Sequence, residues 1–153
     1  MATKSFYTPK NPSKYVGGSI NKPGGHQGKI ICRSNWERQF CIKFDKDPSI
    51  VAWSSEELTI PYWCPVKKRK ALYYPDFLVK KLNEDGTHSI YLYEIKPHRE
   101  TVLEATKRRT KRTILLEMTI AVNHAKWRYA KAFCDKRGWK FIIMTERNFK
   151  VLK

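Results

Sequence analysis

Asp76 and Glu94 each interrupt an apolar run, Tyr74-Pro75-Asp76-Phe77-Leu78-Val79 and Tyr91-Leu92-Tyr93-Glu94-Ile95-Lys96. A carboxylate in such a run is costly to bury without a partner or a cation. Between the runs, Asn83-Glu84-Asp85-Gly86 supplies turn chemistry, so the two read as strands of one hairpin. For a loop centred on Asp85, antiparallel partners have residue numbers that sum to 170. Asp76 and Glu94 meet that condition and face each other on one side of the sheet. A two-residue Asp85-Gly86 loop would shift the register by one and set Ile95 opposite Asp76 instead. In the first register like charges stand opposed, and a bound divalent cation is the simplest way to hold them. Lys96, two residues beyond Glu94, projects from the same face. Two carboxylates with backbone carbonyl and water are hard oxygen donors, which suit Mg²⁺, with Mn²⁺ as a substitute, and not zinc. A cation held there can polarise a phosphodiester and help deprotonate an attacking water. Lys96 can orient that water or stabilise charge on the phosphorane.

The elements that must position these groups can be read outward from the hairpin. Upstream, Ser34-Asn35-Trp36-Glu37 has the capping-box pattern, and Trp36, Phe40 and Phe44 follow at four-residue steps. They predict a helix that ends near Asp47-Pro48. Residues 50–53 and 57–62 predict two strands, and residues 71–82 and 87–96 the two arms of the hairpin. Downstream, Ile114, Met118, Ala121, Val122, Ala125, Tyr129 and Phe133 mark the apolar stripe of a long helix, with Gly138 placed to cap it. Residues 139–145 form a last, mostly apolar strand. Helix, antiparallel strand meander, long helix and strand, with no internal repeat, imply an α/β fold with a mixed sheet flanked by helices. The last strand should run parallel to part of the hairpin. Residues 1–29 carry Gly17-Gly18, Pro23-Gly24-Gly25 and Gly28 among lysines and predict a flexible basic N-terminal arm. Residues 30–153 are then the folded domain.

Charge points to the partner. Lys and Arg number 31 against 14 Asp and Glu, a formal +17 on 153 residues, which favours a polyanion over a neutral metabolite. Nucleic acid is the first candidate. The basic residues cluster as Lys67-Lys68-Arg69-Lys70, Lys107-Arg108-Arg109 and Lys111-Arg112, beside strands and at a helix start. A membrane-surface binder would instead carry them on an isolated amphipathic helix. No apolar run reaches the length needed to cross a bilayer, and the first residues lack the apolar segment of a secretory signal, so the cytoplasm is expected. Hydrophobic residues make up 41% of the chain, enough for one core and not for two domains. Cys32, Cys41, Cys64 and Cys134 form no CxxC pair and read as reduced core thiols.

Pro75-Asp76 followed by Glu94-Ile95-Lys96 in a strand hairpin, behind a helix bearing Glu37, resembles the PD-(D/E)xK nuclease superfamily. Its restriction-endonuclease-like core is helix, three-stranded meander, helix and strand, which this chain matches over roughly residues 33–145. The resemblance implies that Glu37, Asp76 and Glu94 are metal-linked carboxylates and that Lys96 is the catalytic lysine. More narrowly, Arg33-Ser34-Asn35-Trp36-Glu37, Trp53-Ser54-Ser55-Glu56-Glu57, Tyr74-Pro75-Asp76-Phe77, Tyr93-Glu94-Ile95-Lys96-Pro97 and Lys136-Arg137-Gly138-Trp139 together resemble the head-completion nucleases of contractile-tailed (myovirus-type) bacteriophages. Similar blocks occur in the transposon-end-cutting endonuclease subunits of heteromeric transposases. The phage resemblance implies a Mg²⁺-dependent DNA endonuclease or exonuclease that acts on double-stranded DNA so that filled heads can join tails. It also implies portal or head-tail connector proteins as partners, and the infected host cell or the virion as its place. Two other functions compete: a transposase nuclease subunit, and a catalytically inactive DNA-binding head-assembly protein. The intact Asp76, Glu94, Lys96 set argues against the second.

Plainer explanations exist for several of these residues. The capping box alone accounts for Glu37, and only the resemblance gives it a role in catalysis. Glu94 and Lys96 alone would read as a solvated strand face, and their coincidence with Asp76 is what lifts them. Lys67, Lys68, Arg69, Lys70, His98, Lys107, Arg108, Arg109, Lys111 and Arg112 are candidate phosphate contacts. Glu56 and Glu57 read as surface or supporting groups, and Tyr129 as core.

Overall fold

The computed structural model describes residues 4–18, 28–103 and 108–148. Its centre is a four-stranded sheet made of β3 (Ile50–Ser55), β6 (Phe77–Leu82), β7 (His88–Ile95) and β8 (Lys140–Met144), in that spatial order. β3, β6 and β7 are antiparallel neighbours, and β8 joins β7 in parallel. The mixed sheet and its parallel last strand match the expected architecture. The hairpin register also matches: Phe77 pairs with Tyr93, Leu78 with Leu92 and Leu82 with His88, the ladder centred on Asp85. Asp85 shapes that turn by accepting from the Thr87 N–H and hydroxyl at 3.0 and 2.6 Å.

One face of the sheet is covered by α1 (Asn35–Lys46). Ser34 caps that helix, accepting from the Glu37 N–H at 3.2 Å. Phe40 and Phe44 pack on Trp53, Phe77 and Tyr93 in an aromatic core. The opposite face is covered by α2 (Lys111–Arg137) and by a separate two-stranded ribbon, β4 (Ile60–Cys64) with β5 (Arg69–Tyr73). Gly138 closes α2 in the left-handed region at φ 71°, as its place after the helix predicts. All four cysteines are free and buried. No helix among the described residues is long and apolar enough to cross a membrane.

Three expectations need correction. Residues 71–82 are not one strand: the chain breaks at Tyr74-Pro75-Asp76, so that β5 belongs to the ribbon and β6 to the main sheet. Proline, which cannot donate to a ladder, sits buried at the break. The stripe on α2 holds only in part. Ala125 is buried and Val122 and Phe133 pack against the core as expected, but Ile120, Asn123, Trp127, Ala130 and Cys134 make up the rest of the buried face, while Tyr129 and Met118 are 40% exposed. A helix of 27 residues is about 40 Å long against about 27 Å for an eight-residue strand, so its first turns outrun the sheet.

The third correction concerns the N-terminal arm. Residues 1–3 and 19–27 lie outside the described residues, but residues 4–18 pack on the domain. β1 (Ser5–Tyr7) pairs with β2 (Ile30–Cys32), a short 3₁₀ turn follows at Pro12–Lys14, and Tyr15 sits edge-on against Trp53. The anchor is Asp45, which is fully buried. Its carboxylate accepts from the Tyr7 hydroxyl at 2.6 Å and from the N–H groups of Lys10 and Asn11 at 2.7 and 3.1 Å. The Lys14 ammonium donates to the carbonyls of Phe44, Asp45 and Asp47, at the C-terminal end of α1 where cations are favoured. Burial alone would raise the Asp45 carboxyl, but these donors outweigh it and hold it below its ordinary range.

Asp45→Ala would strand the buried Tyr7 hydroxyl and two backbone donors. A loss on the order of 3 kcal/mol in urea unfolding is expected. Because the folded carboxyl titrates low, its stabilisation is present above the unfolded pKa and disappears as pH falls through the folded one. The wild type and the Asp45→Ala variant should therefore converge in stability toward low pH, and an undiminished gap there would count against the assignment.

Candidate active site

The break after β5 creates the site. Leaving the ribbon at Tyr73, the chain crosses Tyr74-Pro75 and enters β6, so Asp76 stands just before the strand, one step past the Phe77–Tyr93 pair. Its Oδ2 accepts from the Ile95 N–H at 2.7 Å, and its own carbonyl accepts from the Glu56 N–H at 3.1 Å. Among the described residues none donates to Oδ1. Glu94 lies opposite, 4% exposed, with Oε2 accepting from the Tyr73 hydroxyl at 2.5 Å and Oε1 3.8 Å from the Lys96 ammonium. Leu92 and Leu78 on the same alternation belong to the α2-side core, while Tyr93 and Phe77 face α1. Asp76, Glu94 and Lys96 thus share one side of the sheet at its end.

An open cleft of about 520 Å³ gathers there. Besides the three motif residues, its walls include Glu37, Trp36 and Arg33 from the start of α1, Glu56 after β3, Tyr73 and Tyr74, Arg99, and Lys126 from α2. Glu37 is both a cap and a cleft residue. Its backbone N–H donates to Ser34 Oγ, and its Oε2 accepts from the Arg33 N–H at 3.1 Å. Arg33 in turn forms a 3.0 Å ion pair with Glu56, which stands in the left-handed region at φ 53°.

The electrostatics of the carboxylates follow from this crowding. Burial raises Asp76 well above the ordinary carboxylate range, the charges of Glu94 and Glu37 add to it, and the Ile95 N–H and Lys96 oppose it. Burial also raises Glu94, against the pull of the Tyr73 hydroxyl, Lys96 and Lys126. Glu37 is raised by burial and by Glu56, against the Arg33 N–H and Ser34. On the cationic side, burial and the charge of Lys96 lower Lys126. Its ammonium sits 5.6 Å from the centre of the Tyr73 ring and 5.9 Å from that of Tyr62.

This donor set fits a hard divalent cation. Two opposed carboxylates with raised pKa, Glu94 buried and Asp76 half-buried, repel each other unless a positive charge relieves them, and both supply oxygen. Among the described residues no group of three or more His, Cys, Asp or Glu is already gathered at metal-holding geometry. The pair would therefore be completed by backbone carbonyl, water and substrate oxygens. Glu37 reaches the same cleft without forming a ready-made third ligand.

The other predicted contacts divide. Lys67, Lys68, Arg69 and Lys70 are exposed at the turn of the ribbon, and Lys111 and Arg112 on the first turn of α2. Arg108 is exposed, whereas Arg109 is engaged with Glu117 at 3.1 Å. Lys107 lies outside the described residues. His98 is not on the cleft wall, and its N–H donates to Glu146 at 2.8 Å; Arg99 takes the place expected for it. Tyr73, Lys126, Arg33 and Arg99 were not singled out from sequence. Tyr73 abuts the Tyr74-Pro75-Asp76 block, and Lys126 is a lone cation between Ala125 and Trp127, which are the only local signals.

Comparison with known proteins adds the lineage. The chain is 37% identical over 160 aligned residues to the head completion nuclease of Enterobacteria phage T4, an alignment that covers 99% of this chain and 97% of that protein. Residues 47–146 match the family described as TnsA-like endonuclease N terminal, a stretch that contains Asp76, Glu94 and Lys96 and begins past Glu37. With most of its length inside that match and its mixed α/β sheet, the chain belongs to the TnsA-like endonuclease family.

Proposed function

We propose that this protein is a Mg²⁺-dependent DNA nuclease that acts in phage head completion, with Asp76 and Glu94 as metal ligands and Lys96 as the catalytic lysine. The observation that carries the proposal is the opposed carboxylate pair, Glu94 buried and Asp76 half-buried, with an ammonium 3.8 Å from a Glu94 oxygen. Mg²⁺ bound to such a pair, or Mn²⁺ in its place, supplies Lewis acidity toward a phosphodiester and a lower pKa for water. Tyr73 fixes the rotamer of Glu94 through its hydroxyl, and the Ile95 N–H fixes Asp76. Lys96 and Lys126 set positive charge where the phosphorane gathers negative charge, and Lys96 is placed to orient the attacking water. Glu37 supports the cleft from the start of α1 as a third, metal-linked carboxylate. Exposed Lys67, Lys68, Arg69, Lys70, Lys111 and Arg112 hold the phosphates of double-stranded DNA away from the cut.

The head-completion role rests on the phage relative, whose alignment runs through the N-terminal segment as well as the nuclease core. The transposase role rests only on the shorter match over residues 47–146. Portal or connector proteins are the matching partners, and the infected cell the matching place.

Purified protein should nick plasmid DNA with Mg²⁺ and stop in EDTA. Asp76→Ala, Glu94→Ala and Lys96→Ala should each lower the rate by roughly a hundredfold or more while leaving DNA retention intact; full activity of the Asp76 variant would sink the proposal. Metal binding needs both carboxylates ionised, so at limiting Mg²⁺ cleavage should rise with pH through the raised pKa of the pair, and more Mg²⁺ should shift the profile to lower pH. A flat profile would contradict this. A folded carboxyl that titrates high binds more protons than the unfolded chain, so stability falls as pH rises from the ordinary Asp value of 3.8 toward the folded one. Asp76→Asn should therefore melt higher than wild type at neutral pH in EDTA, by a few degrees for each kcal/mol of repulsion removed. A lower melting point would show that the pair is not strained.

A further inference from the structure

Among the described residues, the β4–β5 ribbon has an unpartnered face. Its inner face, made of Ile60, Tyr62, Cys64, Ala71 and Tyr73, packs on Trp127, Ala130 and Cys134 of α2. Alternation sends Pro61, Trp63, Lys70 and Leu72 outward, with Trp63 directly across from Lys70 and Pro61 across from Leu72. This outer face is open: Trp63 is 48%, Leu72 57% and Tyr74 51% exposed. It leads into the cleft, whose wall Leu72 and Tyr74 form. It also carries one sign of charge. Residues 59–74 contain Lys67, Lys68, Arg69 and Lys70 and no acidic residue.

Duplex DNA presents phosphates on its outside, and lysines alone suffice to hold them. Exposed aromatic and aliphatic side chains gain nothing from that backbone, but they gain from the flat apolar faces of bases that have left the stack. From Lys70 to Tyr74 the ribbon spans roughly 13 Å, enough for a few nucleotides of one strand. We propose that the outer face of the ribbon, Trp63, Leu72 and Tyr74 beneath the Lys67–Lys70 turn, is a stacking platform for an unpaired DNA strand entering the cleft. The enzyme would then prefer DNA with unpaired nucleotides next to the cut, such as a frayed end, a tail or a flap, over blunt or continuous duplex. This rests on the proposed nuclease function and names the form of its substrate. A protein partner on the same face is disfavoured by the uniform basic charge and is an outcome of the test.

The test measures binding apart from cutting, by fluorescence anisotropy of the full chain carrying Asp76→Asn, in EDTA. The probes are a blunt duplex and the same duplex with a single-stranded tail. The tailed DNA should bind more tightly. Trp63→Ala should reduce that preference by roughly ten- to a hundredfold, as expected for one stacked base, and Trp63→Phe should retain most of it. Leu82→Ser, at an exposed position on the far end of β6, should leave the preference unchanged. Loss of affinity for both probes in equal measure under Trp63→Ala would overturn the platform, since it would mark a backbone contact. No loss with either probe would also overturn it, leaving the face free of DNA and open to a protein partner. Failure of the Asp76→Asn chain to bind either DNA would defeat the nuclease proposal itself, a result distinct from binding that ignores Trp63.

Discussion

Two carboxylates opposed at the buried end of a β-ladder repel each other, and much of this molecule is organised so that they cannot move apart. Asp76 is tied to the Ile95 N–H, and Glu94 to the Tyr73 hydroxyl. Behind them, Phe77 and Tyr93 pair across the ladder and pack into the α1-side core, so the strand ends are not free to splay. Each bond favours the ionised form, yet burial outweighs it and both groups titrate high. A rigid frame that keeps two like charges together stores free energy, which a divalent cation held between them would release. On the proposed assignment, affinity for a cation and strain between the carboxylates are one property.

The same constraint explains why the chain breaks where it does. Had β5 run straight into β6, Tyr73 would have alternated along the strand and could not have turned back to Glu94. The break at Tyr74-Pro75 swings β5 into a second sheet, so that Tyr73 approaches Glu94 from the ribbon while Asp76 approaches from the main sheet. That ribbon is held by α2, whose Lys126 lies against the rings of Tyr62 and Tyr73. A helix, a ribbon and two strand ends therefore converge on a cleft that no single element could build.

The parts of this arrangement that were legible in the sequence are those decided by local rules. The turn chemistry around Asp85 marked the hairpin and narrowed its register to two, and the observed ladder is the one centred on Asp85, with Asp76 opposite Glu94. Ser34 and Glu37 marked the start of α1, and Gly138 the end of α2. What could not be read depends on contacts distant in the chain. The packing of residues 4–18 turns on Asp45, whose partners Tyr7, Lys10 and Asn11 lie more than thirty positions away. A segment rich in glycine and lysine reads as an arm because its one buried anchor sits elsewhere. The stripe of α2 misled in part for a related reason: its buried face includes Asn123, which donates to the Glu100 carbonyl, and small Ala130, while the hydrophobic Met118 and Tyr129 are exposed. Tyr73 and Lys126 became visible only once the ribbon and the helix were brought together.

Glu37 shows how a capping device and a reactive cleft can use one side chain. The first turn of a helix presents unpaired N–H groups and a partial positive charge, which favour an acid there whatever the protein does. In α1 that acid satisfies the Arg33 N–H with one oxygen and lies within 3.4 Å of the Ser34 hydroxyl with the other. The helix points its N-terminus at the cleft, so the capping acid is delivered to the same space as Asp76 and raises its pKa. Arg33 and its ion pair with Glu56 then supply a compensating cation at the rim. A cap and a ligand make opposite demands, since a cap is best bonded to its own helix and a ligand must leave oxygen free. Arg33 and Ser34 each donate to one Glu37 oxygen, whereas among the described residues Asp76 accepts on one oxygen only and keeps more of its lone pairs free. Glu37 therefore acts first on the charge of Asp76, and it has fewer lone pairs left to offer a cation while it holds the start of α1.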